Sequence, residues 1–246
     1  MKVVAIIPAR YNSSRFRGKP LADICGKPMI WWVYNQVCKS RKINEVYVAT
    51  DNWEIKQECE KWNINCIMTL EEHKTSTERV YEVAKKIKSD IYIVINGDEP
   101  LIDSLVIEKI IPDSLEGFFA ANLMTKIKNP VEVVDPTNIK VVTDQDNYAL
   151  FMSRNPIPYP KASMEYEYYK HLGVLAYKFE ALKFFAETEK GKNEKIEDVN
   201  ELRFIEHGKK IKMIPVNANT LSVDTPKDLE HVIQVIRNQL TNVENG

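Results

Sequence analysis

Residues able to handle phosphate and a hard cation gather in three short segments of this 246-residue chain. The first, Pro8 to Pro20, holds Arg10, Arg15, Arg17 and Lys19 together with the hydroxyls of Ser13 and Ser14 and the glycine Gly18. It follows the apolar run Val3–Ile7, and a loop leaving the carboxyl end of a strand can wrap phosphates with backbone N–H groups and charged heads. Neither the G-x-x-x-x-G-K-[ST] spacing nor G-x-G-x-x-G occurs. Composition leaves two readings open, a triphosphate cradle and a solvated basic loop. The second segment ends the run Ile91–Ile95 in Asn96-Gly97-Asp98-Glu99-Pro100. Mg²⁺ is commonly held by one or two carboxylates with waters and substrate phosphates, which makes Asp98 the first candidate ligand and a polar turn before Pro100 the alternative. In the third, Leu221 to Asp228, Thr225 as N-cap, Pro226 at the first helical position and Asp228 behind them account for a helix start. Asp224 is left over, as a second metal ligand or a turn-stabilising aspartate.

Two further clusters are polar in unusual ways. His73-Lys74-Thr75-Ser76-Thr77-Glu78-Arg79 reads as a hydroxyl-rich helix start with Ser76 or Thr77 at the cap. In Ser153-Arg154-Asn155-Pro156-Ile157-Pro158 the prolines stiffen the chain around Arg154, and a fixed arginine suits carboxylate recognition. His171, after Lys170, reads equally as a core, surface or site residue. His207 and His231 sit in charged stretches and carry no assignment.

A frame for these residues is legible in the alternation of short apolar runs with amphipathic stretches. Strands are expected at Val3–Ile7, Glu45–Ala49, Cys66–Met68 and Ile91–Ile95, with helices near Met29–Cys38, Glu54–Trp62, Thr77–Lys88 and Ser104–Ile111. That rhythm predicts a parallel sheet of βαβ units, in which ligands sit beyond the carboxyl ends of strands. From about residue 131 to 177 the pattern changes to a hairpin around Asp144–Asn147 and a proline-rich stretch, read as an inserted lobe in a single domain spanning 1–246. Helices near Phe179–Glu187, Lys195–His207 and Pro226–Leu240 and a strand at Ile211–Val216 complete the chain.

With 34 Lys+Arg against 35 Asp+Glu and 44% hydrophobic residues, nothing in the bulk charge attracts nucleic acid or an anionic membrane. No run approaches a membrane span, and Val3–Ile7, followed by Pro8 and three arginines, reads as a strand and not a signal peptide. A soluble, cytoplasmic protein is expected. Cys25, Cys38, Cys59 and Cys66 lack metal spacing, and Cys38 and Cys59 fall on apolar helical faces, so buried thiols are expected.

Taken in order, the segments resemble the Kdo (3-deoxy-manno-octulosonate) cytidylyltransferases, also called CMP-Kdo synthetases. The likeness runs from Val3 to Leu229 through IPARYNSSRFRGKPLADICGKPMI, VATD, HKTSTER, INGDEPLI, NIKVVT, SRNPIPYP, KHLGVLAY, ELR and VDTPKDLE. The resemblance implies an α/β, nucleotide-diphospho-sugar transferase-like (Rossmann-like) fold, mostly parallel, with helices on both faces and an inserted β-hairpin lobe that pairs two subunits into a homodimer. It implies Mg²⁺-dependent transfer of CMP from CTP to the anomeric hydroxyl of an acidic sugar, for lipopolysaccharide or capsule synthesis. By residue match, Arg10, Ser13, Arg15 and Lys19 would hold the triphosphate. Thr75, Ser76, Arg79 and Asn96 would lie on the nucleotide side, Asp98 and Asp224 would bind Mg²⁺, and Arg154, His171, Asn200 and Glu201 would contact the acceptor. Lys19, Arg10 and Asp98 would carry the catalysis, by stabilising charge on phosphate oxygens and the departing pyrophosphate, with no covalent enzyme intermediate.

Three departures fall near substrate. Where the family reads Q-G-D-E-P this chain has Asn96 first; where it reads S-G-T-[DE]-R this chain has Thr75-Ser76-Thr77-Glu78-Arg79; and where it reads Glu-Gln before Leu-Arg this chain has Asn200-Glu201. They leave open an amino-Kdo, another 2-keto acid sugar or a phosphonate as acceptor beside Kdo. A non-catalytic nucleotide-binding protein is a more distant alternative, which would be expected to lose Asp98, Asp224 or Lys19.

Overall fold

The run VVAIIPA forms strand β1 (Val3–Ala9), whose side chains alternate between two buried faces because a sheet here is covered on both sides. A computed structural model describes residues 1–12, 16–163, 165–218 and 221–244. A 3-10 turn at Lys19–Leu21 leads into the small hairpin β2 (Asp23–Ile24) and β3 (Lys27–Pro28), then α1 (Met29–Cys38), β4 (Glu45–Thr50), α2 (Trp53–Lys61) and β5 (Cys66–Met68). Next come α3 (Ser76–Lys86), β6 (Ile91–Ile95), α4 (Ser104–Glu108), β7 (Ala120–Lys126), α5 (Pro130–Val134), β8 (Lys140–Thr143) and β9 (Ala149–Ser153). The chain closes with β10 (Tyr169–Tyr177), α6 (Phe179–Glu187), α7 (Lys192–Glu197), α8 (Leu202–Glu206), β11 (Lys212–Val216) and α9 (Pro226–Glu244).

The main sheet runs β11-β7-β10-β6-β1-β4-β5. Strand β1 pairs in parallel with β4 and β6, and β4 with β5, whereas β10 is antiparallel to both β6 and β7. On one face Val3, Ala5 and Ile7 pack with Ile30 and Val33 of α1 and Ile55 of α2; on the other Val4 and Ile6 pack with Val80 of α3, Leu182 of α6 and Phe204 of α8. A third cluster, Ile24, Met29, Val223, Val232 and Ile236, clamps α9 onto the β2–β3 hairpin. Helix α9 is the longest, and none is long and apolar enough to cross a membrane among the described residues.

Sequence patterning missed β7 and did not separate β10 from the lobe. Both are central strands, buried on both faces, so neither shows the alternation of a half-buried strand. Strand β10 begins against β8 of the lobe hairpin and ends inside the main sheet between β6 and β7. Its register against β7 shifts between His171 and Leu175, and the Asn122 side chain donates to the Leu172 and Val174 carbonyls at 2.8 and 2.9 Å, satisfying groups that the bulge withdraws from the ladder.

Two expectations are corrected. The single helix expected over Lys195–His207 is two short ones, α7 and α8, broken at Asp198 in the left-handed conformation (φ 51°, ψ 49°). Arg203 folds α8 back on α7 by gripping Glu194 at 2.8 and 2.6 Å and the Phe185 carbonyl at 2.7 Å, all buried. Cys59 is buried as expected, but Cys38, at the last turn of α1, is exposed.

Asn122→Ala is expected to leave two buried carbonyls unpaired and to cost about 1–3 kcal/mol each at most. Urea unfolding measures this; an unchanged midpoint would show that the bulge does not need Asn122.

Candidate active site

The loop after β1 is closed by Gly18, whose N–H donates to the Tyr11 carbonyl at 2.8 Å and whose φ of 69° suits a residue without Cβ. That turn delivers Lys19 to the ends of two other elements. Its Nζ donates to Asp98 Oδ2, beyond β6, and to the Val223 carbonyl, before α9, both at 2.8 Å, and lies 3.6 Å from Asp224 Oδ1. The Val223 N–H donates to the Asp98 carbonyl at 2.9 Å, so the two aspartates are held in one array by backbone as well as by the ammonium. At the start of α9 the Asp228 carboxylate accepts from the Asp224 and Thr225 N–H groups at 3.1 and 2.8 Å.

A cleft of about 550 Å³ opens over this array, lined by Arg10, Lys19, Ser76, Asn96, Asp98 and Arg154 among others. Arg10 reaches across its rim to the Lys74 carbonyl at 3.3 Å. The cleft continues into a space of about 230 Å³ holding Glu99, Arg154, Lys170, His171 and Asp224, and into one of about 180 Å³ holding Ser76, Asn96, His171, Asn200 and Glu201. Gly173 makes this possible. A Cβ there would stand 2.6 Å from the Asn96 side chain, and its carbonyl accepts from the Asn96 N–H at 2.8 Å.

Arg154 is rigid for reasons beyond its prolines. Its guanidinium donates to the Glu197, Pro136 and Asp198 carbonyls at 2.6, 3.0 and 3.1 Å, spending three of its five N–H donors and leaving the rest for a ligand. Beneath it the fully buried Lys140 ammonium donates to the carbonyls of Asp135 and Asn138, at 3.0 and 2.6 Å, and of Arg154 itself. His171 Nδ1 is buried without a partner, and burial, with Arg154 and Lys170 nearby, pushes the imidazole down to about 4, so it is neutral at pH 7. Glu99 Oε2 is also unpartnered; burial and the neighbouring Asp98 push this carboxyl up to about 8. Glu201, 7% exposed, is pushed up to about 7 by burial.

The fold thus brings Arg10, Lys19, Ser76, Asn96, Asp98, Arg154, His171, Asn200, Glu201 and Asp224 to one continuous cleft. Ser13 and Arg15 lie outside the described residues. Two expected contacts are corrected. Arg79 is fully buried and donates to Asp51 Oδ2 at 2.5 Å and to Thr69 Oγ1, so it supports the end of β4 and does not reach the cleft. Thr75, not Ser76 or Thr77, caps α3: its Oγ1 accepts from Glu78 N–H while the Glu78 carboxylate accepts from the Thr75 N–H, a reciprocal capping box that frees Ser76 for the cleft. Glu99, Lys140 and Gly173 were missed. Glu99 read as turn polarity, whereas Lys140 and Gly173 matter only through contacts distant in sequence.

Residues 4–211 match the family described as Cytidylyltransferase. The chain belongs to that family. It is 38% identical to the 3-deoxy-manno-octulosonate cytidylyltransferase of Geotalea uraniireducens (strain Rf4), over 96% of this chain and all of the relative. It is 40% identical to the 8-amino-3,8-dideoxy-manno-octulosonate cytidylyltransferase of Shewanella sp. (strain W3-18-1), over 93% and 96%. A solved CMP:2-keto-3-deoxy-manno-octonic acid synthetase complexed with CTP superposes with a TM-score of 0.90 at 37% identity, covering 97% of this chain and 100% of the other. The mixed, mainly parallel sheet is therefore that of a nucleotide-sugar transferase, and this cytidylyltransferase is an enzyme and not a nucleotide sensor.

Unfolded, Glu99 and Glu201 would ionise near 4.5; folded, near 8 and 7. These two carboxyls bind more protons in the folded than in the unfolded chain between these values, so their contribution to stability falls as pH rises from about 4.5 to 8; neutral His171 opposes them below about 6.5, which leaves the fall clearest between about 6.5 and 8. Melting scans in chelator across that range are expected to show the fall, and Glu99→Gln to flatten its upper part; an identical slope in the variant would contradict the assignment.

Proposed function

We propose that this cytidylyltransferase joins CMP from CTP to the anomeric hydroxyl of an eight-carbon 2-keto acid sugar, 3-deoxy-manno-octulosonate or a close relative, releasing pyrophosphate. The observation that carries the reading is the convergence of Lys19, Asp98 and Asp224 at one end of a cleft whose adjoining space holds Arg154, Lys170 and an unpartnered His171. One end suits a polyphosphate with a cation, the other a carboxylate beside a polyol.

The donors available fit Mg²⁺ of the kind that arrives on phosphates. Asp98 and Asp224 reach the same ammonium at 2.8 and 3.6 Å and are 24% and 28% exposed, and no group of three or more His, Cys, Asp or Glu able to hold a metal alone occurs among the described residues. Bound there, Mg²⁺ would supply Lewis-acid stabilisation of phosphate oxygens and lower the pKa of the attacking hydroxyl. The protein's own groups do the rest. Lys19, with Arg10 at the rim and Arg15 near it in sequence, neutralises charge on the triphosphate, and Ser13 offers it a hydroxyl donor. Asn96 and Ser76 flank the nucleotide. Arg154 presents its remaining donors to the acceptor carboxylate from a fixed position, so little is lost on binding. Protonated Glu99 and neutral His171 offer hydrogen bonds to sugar hydroxyls. The hydroxyl oxygen attacks the α-phosphorus while its proton passes to solvent water, the bond from the α-phosphorus to the bridging oxygen breaks, and pyrophosphate leaves with that electron pair. The exposed apolar residues Val131, Val134 and Leu150 of the lobe support its use in pairing two subunits. The product, an activated acid sugar, suits transfer into a surface polysaccharide.

Pyrophosphate release with Mg²⁺, CTP and an octulosonate acceptor tests the reading. Asp98→Asn is expected to fold and to lose turnover by at least about 100-fold. Near-normal turnover would remove Asp98 from the mechanism. Arg154→Ala is expected to raise the acceptor KM at least about tenfold and leave CTP affinity within about twofold; equal loss of both would make Arg154 a structural residue.

A further inference from the structure

The acceptor side of the cleft is electrically lopsided. Toward the reacting centre stand Arg154 and Lys170. Adjoining the main cleft through Ser76, Asn96 and Asp198, the space of about 180 Å³ is lined by no lysine or arginine and by two carboxyl groups, the exposed Asp198 and the buried Glu201. Glu201 is 7% exposed and, among the described residues, makes no ion pair or hydrogen bond to another side chain. The cations close by do not reach this space: Arg203 is bound to Glu194 and the Phe185 carbonyl, Lys170 to Glu132 and Asn138, and Arg154, held by three carbonyls, lines the neighbouring spaces and not this one. His171 in the shared wall is neutral, and Tyr177, the other titratable group facing Glu201, is held protonated by burial. Glu194, itself paired with Arg203, adds a small upward push on Glu201 and no cation. With no side-chain partner in this space, the Glu201 carboxyl is left to whatever the ligand presents, and an ammonium there would form a charge-assisted pair with it.

We propose that Glu201, seconded by Asp198, is the specificity determinant for the acceptor's end remote from the reacting hydroxyl, and that it selects acid sugars carrying a primary ammonium there over those carrying a hydroxyl. The inference rests on the function proposed above and deepens it. The acceptor is then a zwitterion laid along the cleft, its carboxylate toward Arg154 and its ammonium toward Glu201 and Asp198. Because Glu201 titrates near neutrality, the two acceptor types demand opposite states of it: an ammonium needs the carboxylate, a hydroxyl is better served by the acid.

The test is pyrophosphate release by the full chain with Mg²⁺ and CTP, comparing 3-deoxy-manno-octulosonate with its 8-amino analogue between pH 6 and 8.5. Expected at pH 7.5 is at least about a tenfold higher kcat/KM for the amine, expressed mainly in KM. The amine's kcat/KM should rise through about pH 7 and the hydroxyl acceptor's should fall. Glu201→Gln should bring the two acceptors within about twofold and remove both slopes, while Asp198→Asn, at an exposed position, should narrow the preference without disturbing folding. Equal kcat/KM for both acceptors in the parent chain, or an unchanged preference in Glu201→Gln, would overturn this inference and leave the proposed function standing. No release with either octulosonate, alongside release with another acid, would overturn both.

Discussion

The Lys19 ammonium, shared between the Asp98 carboxylate, the Val223 carbonyl and the Asp224 carboxylate, ties together three segments that the chain keeps far apart. It is 13% exposed, so its attraction to the carboxylates is weakly screened, and each aspartate left without it would face the other across a short gap. Much else serves this array. The β1 strand and the Gly18 turn aim Lys19, Asp98 lies just beyond the end of β6, and Asp228 accepts from the Asp224 and Thr225 N–H groups at the start of α9. Helix α9 in turn is held by Val232 and Ile236 against Ile24 and Met29. A core contact remote from the chemistry thus fixes where a carboxylate stands.

The second constraint is the reversal of β10 within a sheet otherwise parallel around the site. It brings His171 and Gly173 down beside the end of β6, and the bulge there leaves room for Asn96 only because Gly173 has no side chain. Asn122 absorbs the carbonyls that the bulge frees. The break between α7 and α8 does comparable work from the opposite wall: Arg203 and Glu194 pin it, and Asn200 and Glu201 face inward as a result. Arg154 ties the lobe to that wall through the Glu197 and Asp198 carbonyls, Lys140 braces Arg154 from within the lobe, and Ile139, Val141 and Met152 of the lobe pack in one buried cluster with Val199 and Leu202.

Much of this was legible in the residues. Apolar β-branched runs gave β1, β4 and β6, and helix-start chemistry located α9 with Asp224 left over. Segment order supplied the family resemblance. What escaped was whatever depends on contacts distant in sequence. Strands β7 and β10 show no alternation because both faces are covered. Arg79 sits in a motif that looks like a nucleotide contact, yet its guanidinium is spent on Asp51. The cap of α3 falls on Thr75, where the backbone is still extended, and not on its hydroxyl neighbours. Glu99 read as turn polarity beside Asp98, and its raised pKa was not legible because it comes from burial next to Asp98.

Asp98 and Asp224, set in register by Lys19, are placed to receive a cation that arrives with the nucleotide. Calorimetric titration of CTP into the protein, with Mg²⁺ and in chelator, measures this most directly. The account predicts that Mg²⁺ tightens CTP binding at least about tenfold in the parent chain and has little effect in Asp98→Asn. An equal benefit from Mg²⁺ in the variant would contradict it.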